Sequence, residues 1–517
     1  MPGRWDGPDS ATMGHGDREG RRECVREDGE MARTLEPLRE AASLPARTFS
    51  ARAGRVVIAV CALACLVALG HLVQQANGAF HSEAGRYDFS SYYAAGAALR
   101  ANPHANIYSQ SVLDAVAMHS RLLVNPPLPY TYPPLFAILL SPFTAVSFRV
   151  LSRVWLAASF ALWLSVVAIL AVEVYHLIAP ALTFSRPNTE TRASSRTGAL
   201  LTNPVAWIAT ALVAWLALFS WPAAQTMATG QVNFLVLLPL ALVPLLTRLR
   251  HERWVGVAIA LAAMLKFTPA LLIGYLALRR RWDALIASLL ALAAMAVLSA
   301  LVVGPHTVLA SIPQALRVGG GDAGQGHNQA LFAPLLTALS AGPSSALALL
   351  TKAITGLGAL ALALWLFRPA VSNISAPEYG ADRENLGYAL ALCAMVLISP
   401  TAWVHHYVWI LPASALALGM ALRDLLGARG TLQKRRGAVE CALVVLACVG
   451  LTLALPSNWD TEPSPAIHTF LGLRVWPMLL EMRPLATLLL AVLLCVWYGR
   501  VSHEHAVATS EEVVLTP

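Results

Sequence analysis

The amino-acid sequence predicts an all-α integral membrane protein, a multi-helix bundle of roughly eleven to thirteen membrane crossings with its polar residues gathered in loops at one face. Three observations predict it. Of 517 residues, 57% are hydrophobic and 13% charged, and the mean hydropathy is +0.58, which a water-facing globular surface cannot supply. Apolar runs of about 20 residues, the length that crosses a ~30 Å hydrocarbon core, recur along the chain. The Lys and Arg residues sit in short segments between those runs and not in one patch. The net charge of +8 and the pI near 9.3 therefore mark membrane topology, and no nucleic-acid partner is expected.

Residues 1–54 are rich in Arg, Glu and Gly and lack the apolar core and small-residue cleavage site of a secretory signal. They read as a disordered cytoplasmic extension, within which Met31 offers a second start. A membrane domain fills 55–500, with apolar runs at 55–74, 156–177, 205–219, 232–246, 282–303, 346–367, 386–398, 409–422, 439–455 and 485–497. Residues 501–517 form a short cytoplasmic tail. Six of the seven cysteines (Cys61, Cys65, Cys393, Cys441, Cys448 and Cys495) lie inside these runs without metal-ligand or disulfide spacing, and read as small core residues.

Positive-inside asymmetry puts Arg248, Arg250 and Arg253, the stretch from Arg279 to Arg281, and the stretch from Arg423 to Arg436 in the cytoplasm, with 81–131, 304–330 and 457–474 outside. One place resists simple counting. Arg253 and Arg279 both belong inside, yet only one crossing's length of apolar sequence separates them. Lys266-Phe267-Thr268-Pro269 interrupts that run, so a hairpin of two short helices is expected, its tip reaching toward the outer half. Charge counting leaves the number of crossings between Tyr132 and Asn203 open.

The unusual polar residues fall on the outer side. Asp88, in Tyr87-Asp88-Phe89-Ser90-Ser91-Tyr92-Tyr93, follows the first run and lies among aromatics, where a carboxylate can be tuned as a general base. Taken alone it reads rather as a helix cap or a solvated loop acid. Tyr130-Thr131-Tyr132-Pro133-Pro134 has the form of an interfacial aromatic pair before a helix start. Gly230-Gln231-Val232-Asn233 opens an apolar helix with two amides near its N-terminus, able to donate to sugar hydroxyls or phosphate. Lys266 is a charge inside an apolar run, which costs at least ~2.5 kcal/mol unless it snorkels to an interface. A Gly-rich stretch, 319–326, leads into His327-Asn328-Gln329 as a lid or plain disorder. Ser399-Pro400-Thr401-Ala402-Trp403-Val404-His405-His406-Tyr407 breaks another apolar region. Without a third ligand nearby, its paired His suit an anion better than zinc, and no metal or other cofactor is expected.

A lipid-linked-sugar flippase or exporter is the non-enzyme alternative. It would need polar residues spread through the bilayer depth, or matching halves with paired Gly and Pro breaks, and no internal repeat is evident. In their order, the motifs just quoted resemble glycosyltransferase family 87, the polyprenol-phosphate-mannose-dependent mannosyltransferases, over about residues 55–500. The resemblance implies a GT-C-type bundle with outer-face active-site loops, in the cytoplasmic (inner) membrane. It implies Asp88 as general base for inverting transfer of a sugar, mannose favoured over another lipid-linked hexose or a pentose, from a polyprenyl-phosphate donor to a glycan or glycolipid acceptor. Lys266, His405 and His406 are then expected to meet the leaving phosphate. Tyr92, Tyr93, Tyr132 and Trp403 would line the sugar or acceptor, and Gln231, Asn233, Asn328 and Gln329 would read hydroxyls. The polar N-terminal extension and the Arg-containing loop at 183–202 depart from the family pattern without touching these residues.

Overall fold

A computed structural model describes residues 47–81, 87–120, 122, 127–184, 203–218, 220–321, 329–331, 357–358, 361, 381–399, 401–428, 430–452 and 482–514. A short strand β1 (Arg47–Phe49) precedes α1 (Ala51–His81), α2 (Tyr87–Ala101), α3 (Gln110–His119), α4 (Pro134–Leu140) and α5 (Phe148–Ile178). Strand β2 (Leu182–Phe184) pairs in parallel with β1, so the start of α1 lies beside the end of α5. Then come α6 (Pro204–Leu218), α7 (Trp221–Thr229), α8 (Asn233–Arg248), α9 (Glu252–Leu265), α10 (Leu271–Leu278), α11 (Trp282–Val303) and α12 (Pro305–Gly321). The last four are α13 (Ala381–Leu397), α14 (Leu411–Gly427), α15 (Thr431–Thr452) and α16 (Met482–Val514).

The all-α membrane class is what the structure has. Among the described residues, five helical segments are long and apolar enough to cross a bilayer: Ala51–His71, Phe148–Ala181, Trp282–Val303, Val404–Gly427 and Arg483–Arg500. A sixth is added if α6 and α7 form one broken span. Pro134–Ala145, Asn233–Arg248 and Thr268–Leu278 are shorter apolar helices. The run at 346–367 contributes to the expected number of crossings but lies almost wholly outside the described residues. The helix expected to end near 497 continues through Val514, into the segment expected as a tail.

Two polar ends organise the bundle. At one, Arg248 pairs with Glu173 at 3.1 Å and Asp382 at 3.2 Å, and Arg423 with Asp382 at 3.0 Å. Arg279 pairs there with Glu384, and Arg500 with Glu440. These acids belong to α5, α13 and α15, so the arginines read as loop charges are tied to acids distant in sequence. Four helices run from this end to the other: α8 starts at Asn233 and finishes at Arg248, α9 runs from Glu252 toward Lys266, α13 from Asp382 toward Ser399, and α14 from the His406 turn to Arg423. At 1.5 Å per residue the 16 residues of α8 span roughly 24 Å, close to a bilayer core.

The hairpin expected around Lys266 is present as α9 and α10. Arg281 bonds Glu252 at 2.8 Å, which closes the feet of the hairpin, and Lys266 ends α9 in an extended conformation at the tip. Close packing holds it: a Cβ on Gly256 would stand 2.0 Å from the Ala284 carbonyl oxygen of α11, so only glycine admits this approach. In α8, Pro244 lacks the N–H that Leu240 O would take, and the Tyr388 hydroxyl donates to that carbonyl instead at 2.9 Å. Cys393 and Cys448 are buried, while Cys61, Cys65, Cys441 and Cys495 are half-buried.

Candidate active site

The site is assembled at the end opposite the arginine network, and its framework begins with a helix break. Ser220 Oγ caps α7, accepting from Ala223 N–H at 3.2 Å. Gly230 ends the helix in the left-handed region at φ 70°, and Gln231 N–H returns to Thr226 O at 3.0 Å. Trp155 Nε1 donates to Gly230 O at 2.8 Å, and Phe89 stacks on that indole with ring centroids 5.7 Å apart. A Cβ on Gly230 would stand 2.9 Å from Phe89 Cβ. This turn delivers Gln231 and Asn233 to opposite sides of one polar cluster.

Asp88 lies in the first turn of α2, half-buried, with the polar side chains of Gln231 and Thr229 near its carboxylate. Burial pushes the carboxyl above the ordinary aspartate range, opposed by these polar neighbours and by the nearby charge of Lys266. Gln231 Oε1 accepts from the hydroxyls of Tyr92 at 2.9 Å and Tyr132 at 3.0 Å, and these hydroxyls lie 2.8 Å from each other. Burial also pushes both phenols up, so they remain protonated donors. Tyr132 is held by Tyr108, whose hydroxyl donates to Tyr132 O at 2.9 Å.

The second half of the cluster carries the nitrogen groups. Lys266 Nζ donates to Asn233 Oδ1 at 3.1 Å and lies 2.8 Å from His406 Nε2. Its walls are aromatic, with Nζ 5.5 Å from the Tyr132 ring centroid and 5.0 Å from that of Trp409. Asn233 Nδ2 donates to His405 O at 3.0 Å, and the His406 ring stacks on Trp409 at 4.9 Å. Trp403 N–H donates to His406 Nδ1 at 3.2 Å. His406 is thus held between the Trp403 backbone and Lys266, on the side of the cluster where the anion is expected.

The structure thus brings Asp88, Tyr92, Tyr132, Gln231, Asn233, Lys266, His405 and His406 together, with Trp403 half-buried at the margin. Tyr93 does not join them. Its hydroxyl donates to Val146 O at 3.0 Å and its ring meets Phe148, so it packs α2 against the start of α5. Gln329 is present but committed: its N–H donates to Ala402 O at 2.7 Å and its carbonyl accepts from the Tyr407 hydroxyl at 2.5 Å. Asn328 and residues 322–326 of the Gly-rich stretch lie outside the described residues. Thr229, Trp155 and Trp409 were not singled out from the sequence. Thr229 directly precedes the Gly230 motif, a signal that could have found it. Among the described residues, no group of three or more His, Cys, Asp or Glu side chains is placed to hold a metal ion.

A carboxylate beside a lysine, between aromatic walls and at one end of a membrane bundle, can accept a proton from a hydroxyl while an anionic group is held a short distance away. The family model that matches this chain is Glycosyltransferase family 87, over residues 130–400, just over half of its length. Among curated proteins, it is similar to the polyprenol-phosphate-mannose-dependent alpha-(1-2)-phosphatidylinositol mannoside mannosyltransferase of Mycolicibacterium smegmatis. The two are 30% identical over 309 residues, 57% of this chain and 63% of that protein. It is also similar to the polyprenol-phosphate-mannose-dependent alpha-(1-2)-phosphatidylinositol pentamannoside mannosyltransferase of Mycobacterium tuberculosis, 27% identical over 341 residues, 65% of this chain and 68% of that protein. The chain spans just under two thirds of the first of these relatives. No solved structure matches it.

Proposed function

We propose a function from one premise: the chain belongs to glycosyltransferase family 87. It moves a sugar, mannose favoured by the relatives' names, from a polyprenyl-phosphate carrier to a hydroxyl of a glycolipid such as a phosphatidylinositol mannoside. The observation that carries this reading is the meeting of Asp88 and Lys266 in one aromatic-walled cluster built on the Gly230 turn. Asp88 takes the proton of the acceptor hydroxyl as that oxygen bonds the anomeric carbon. The bond from that carbon to the phosphate oxygen breaks, and polyprenyl phosphate leaves from the opposite face, so configuration inverts.

The leaving group is an anion, and Lys266 stabilises its growing charge where water is scarce. Tyr92 and Tyr132 hold the Gln231 amide, which lies beside the Asp88 carboxylate, and with it orient hydroxyls. On this reading the site lies at the outer face of the cytoplasmic membrane in a GT-C-type bundle, a reading supported by the arginine network at the far end. The test is transfer by the purified protein from polyprenyl-phosphate mannose, with a nucleotide sugar as control donor. Transfer from the lipid donor alone is expected, and use of the nucleotide sugar without a lipid carrier would refute the donor class.

A further inference from the structure

Arg483 opens the last candidate span, Arg483–Arg500, in the first turn of α16, and is 1% exposed. Burying a guanidinium at the end of the bundle away from the arginine network is costly unless it makes specific contacts. One such contact is with Gln329: Arg483 Nη1 donates to Gln329 Oε1 at 3.0 Å, a charge-assisted bond closed off from solvent. The backbone of Gln329 is bound in turn to the segment that carries the paired histidines, through Ala402 O and the Tyr407 hydroxyl. That segment places His406 Nε2 against Lys266 and His405 O against Asn233.

We infer that Arg483 is a positioning residue for the donor-phosphate side of the site, clamping Gln329 onto the 402–407 turn and through it fixing His406 and Lys266. The role in donor binding rests on the proposed function; the clamp itself does not. Through this bond Arg483 reaches the 402–407 turn by way of Gln329. A lysine at 483 can keep one bond to Gln329 but loses the planar fork that orients it.

The test uses the full chain in detergent, with Arg483→Gln, Arg483→Lys, Gln329→Met and the Arg483→Gln/Gln329→Met double variant. Amide hydrogen exchange over 401–410 is read first, since it needs no activity. Exchange there should quicken by about tenfold in Arg483→Gln and in Gln329→Met, no further in the double variant, and little in Arg483→Lys. With polyprenyl-phosphate mannose, the donor KM should rise by about tenfold in the same two variants while the acceptor KM holds. Unchanged exchange in folded Arg483→Gln, or effects that add in full in the double variant, would overturn the clamp. If Arg483→Gln fails to fold, Gln329→Met removes the same bond from its uncharged side and decides alone. If the wild type does not use the lipid donor, the functional reading falls, and the exchange data still judge the clamp.

Discussion

Lys266 Nζ lies 2.8 Å from His406 Nε2 across 140 residues of sequence, so the breaks in two separate apolar runs meet at one point. Each break alone is a local interruption of a helix. Joined, they place a lysine, an imidazole and the Asn233 amide in the cluster that holds Asp88.

Asp88→Asn should lower transfer by ~10²- to 10⁴-fold with membrane abundance unchanged, because the amide keeps the size of the side chain and cannot accept the proton. The measurement is turnover of purified variant with lipid-linked mannose. Wild-type turnover would return Asp88 to a helix-end acid.

Lys266→Met should raise the donor KM by about 10- to 100-fold and leave the acceptor KM in place, since a hydrogen bond to a charged group is lost on the phosphate side alone. Competition by free polyprenyl phosphate reads the same loss without turnover. Unaltered competition would make Lys266 a wall of the bundle.

The pH profile should carry the sign of the Asp88 shift. Its carboxyl is raised by burial, and a base with a raised pKa stops working as pH falls through that value, so the acid limb should lie above the ordinary aspartate range near ~4. Lys266 opposes the shift, so Lys266→Met should move the limb to higher pH. A limb that stays put or moves down in that variant would separate the two residues.

Gly230→Ala should destabilise the bundle by about 1–3 kcal/mol, from a left-handed backbone and the 2.9 Å approach to Phe89 Cβ. A lower melting temperature in detergent together with lost transfer is expected. Equal stability would mean that the turn relaxes without cost.

Orientation is tested by single cysteines at His104 and Arg280, both exposed, the first in the segment after α2 and the second at a foot of the hairpin. An impermeant maleimide added to intact cells should label position 104 and spare position 280. The reverse pattern would put the reaction on the cytoplasmic side.

The membrane class, the hairpin at Lys266, and the helix starts at Pro134 and Asn233 were all legible in the sequence, because each depends on local matters: apolar length, a charge or proline that interrupts it, and the geometry of a first turn. The order of the motifs was equally legible and led to the right family. Tertiary structure alone chose between Tyr92 and Tyr93, adjacent residues that a helix turns about 100° apart, sending one hydroxyl to Gln231 and the other to Val146 O. Only the tertiary structure tied Arg248 to Glu173 and Asp382, and Arg483 to Gln329. It also brought a backbone N–H and a lysine to the two nitrogens of the one His406 ring. Local pattern specifies which face of a helix is apolar. Which polar atoms meet at the end of a bundle depends on how helices distant in sequence cross, and that is settled by packing.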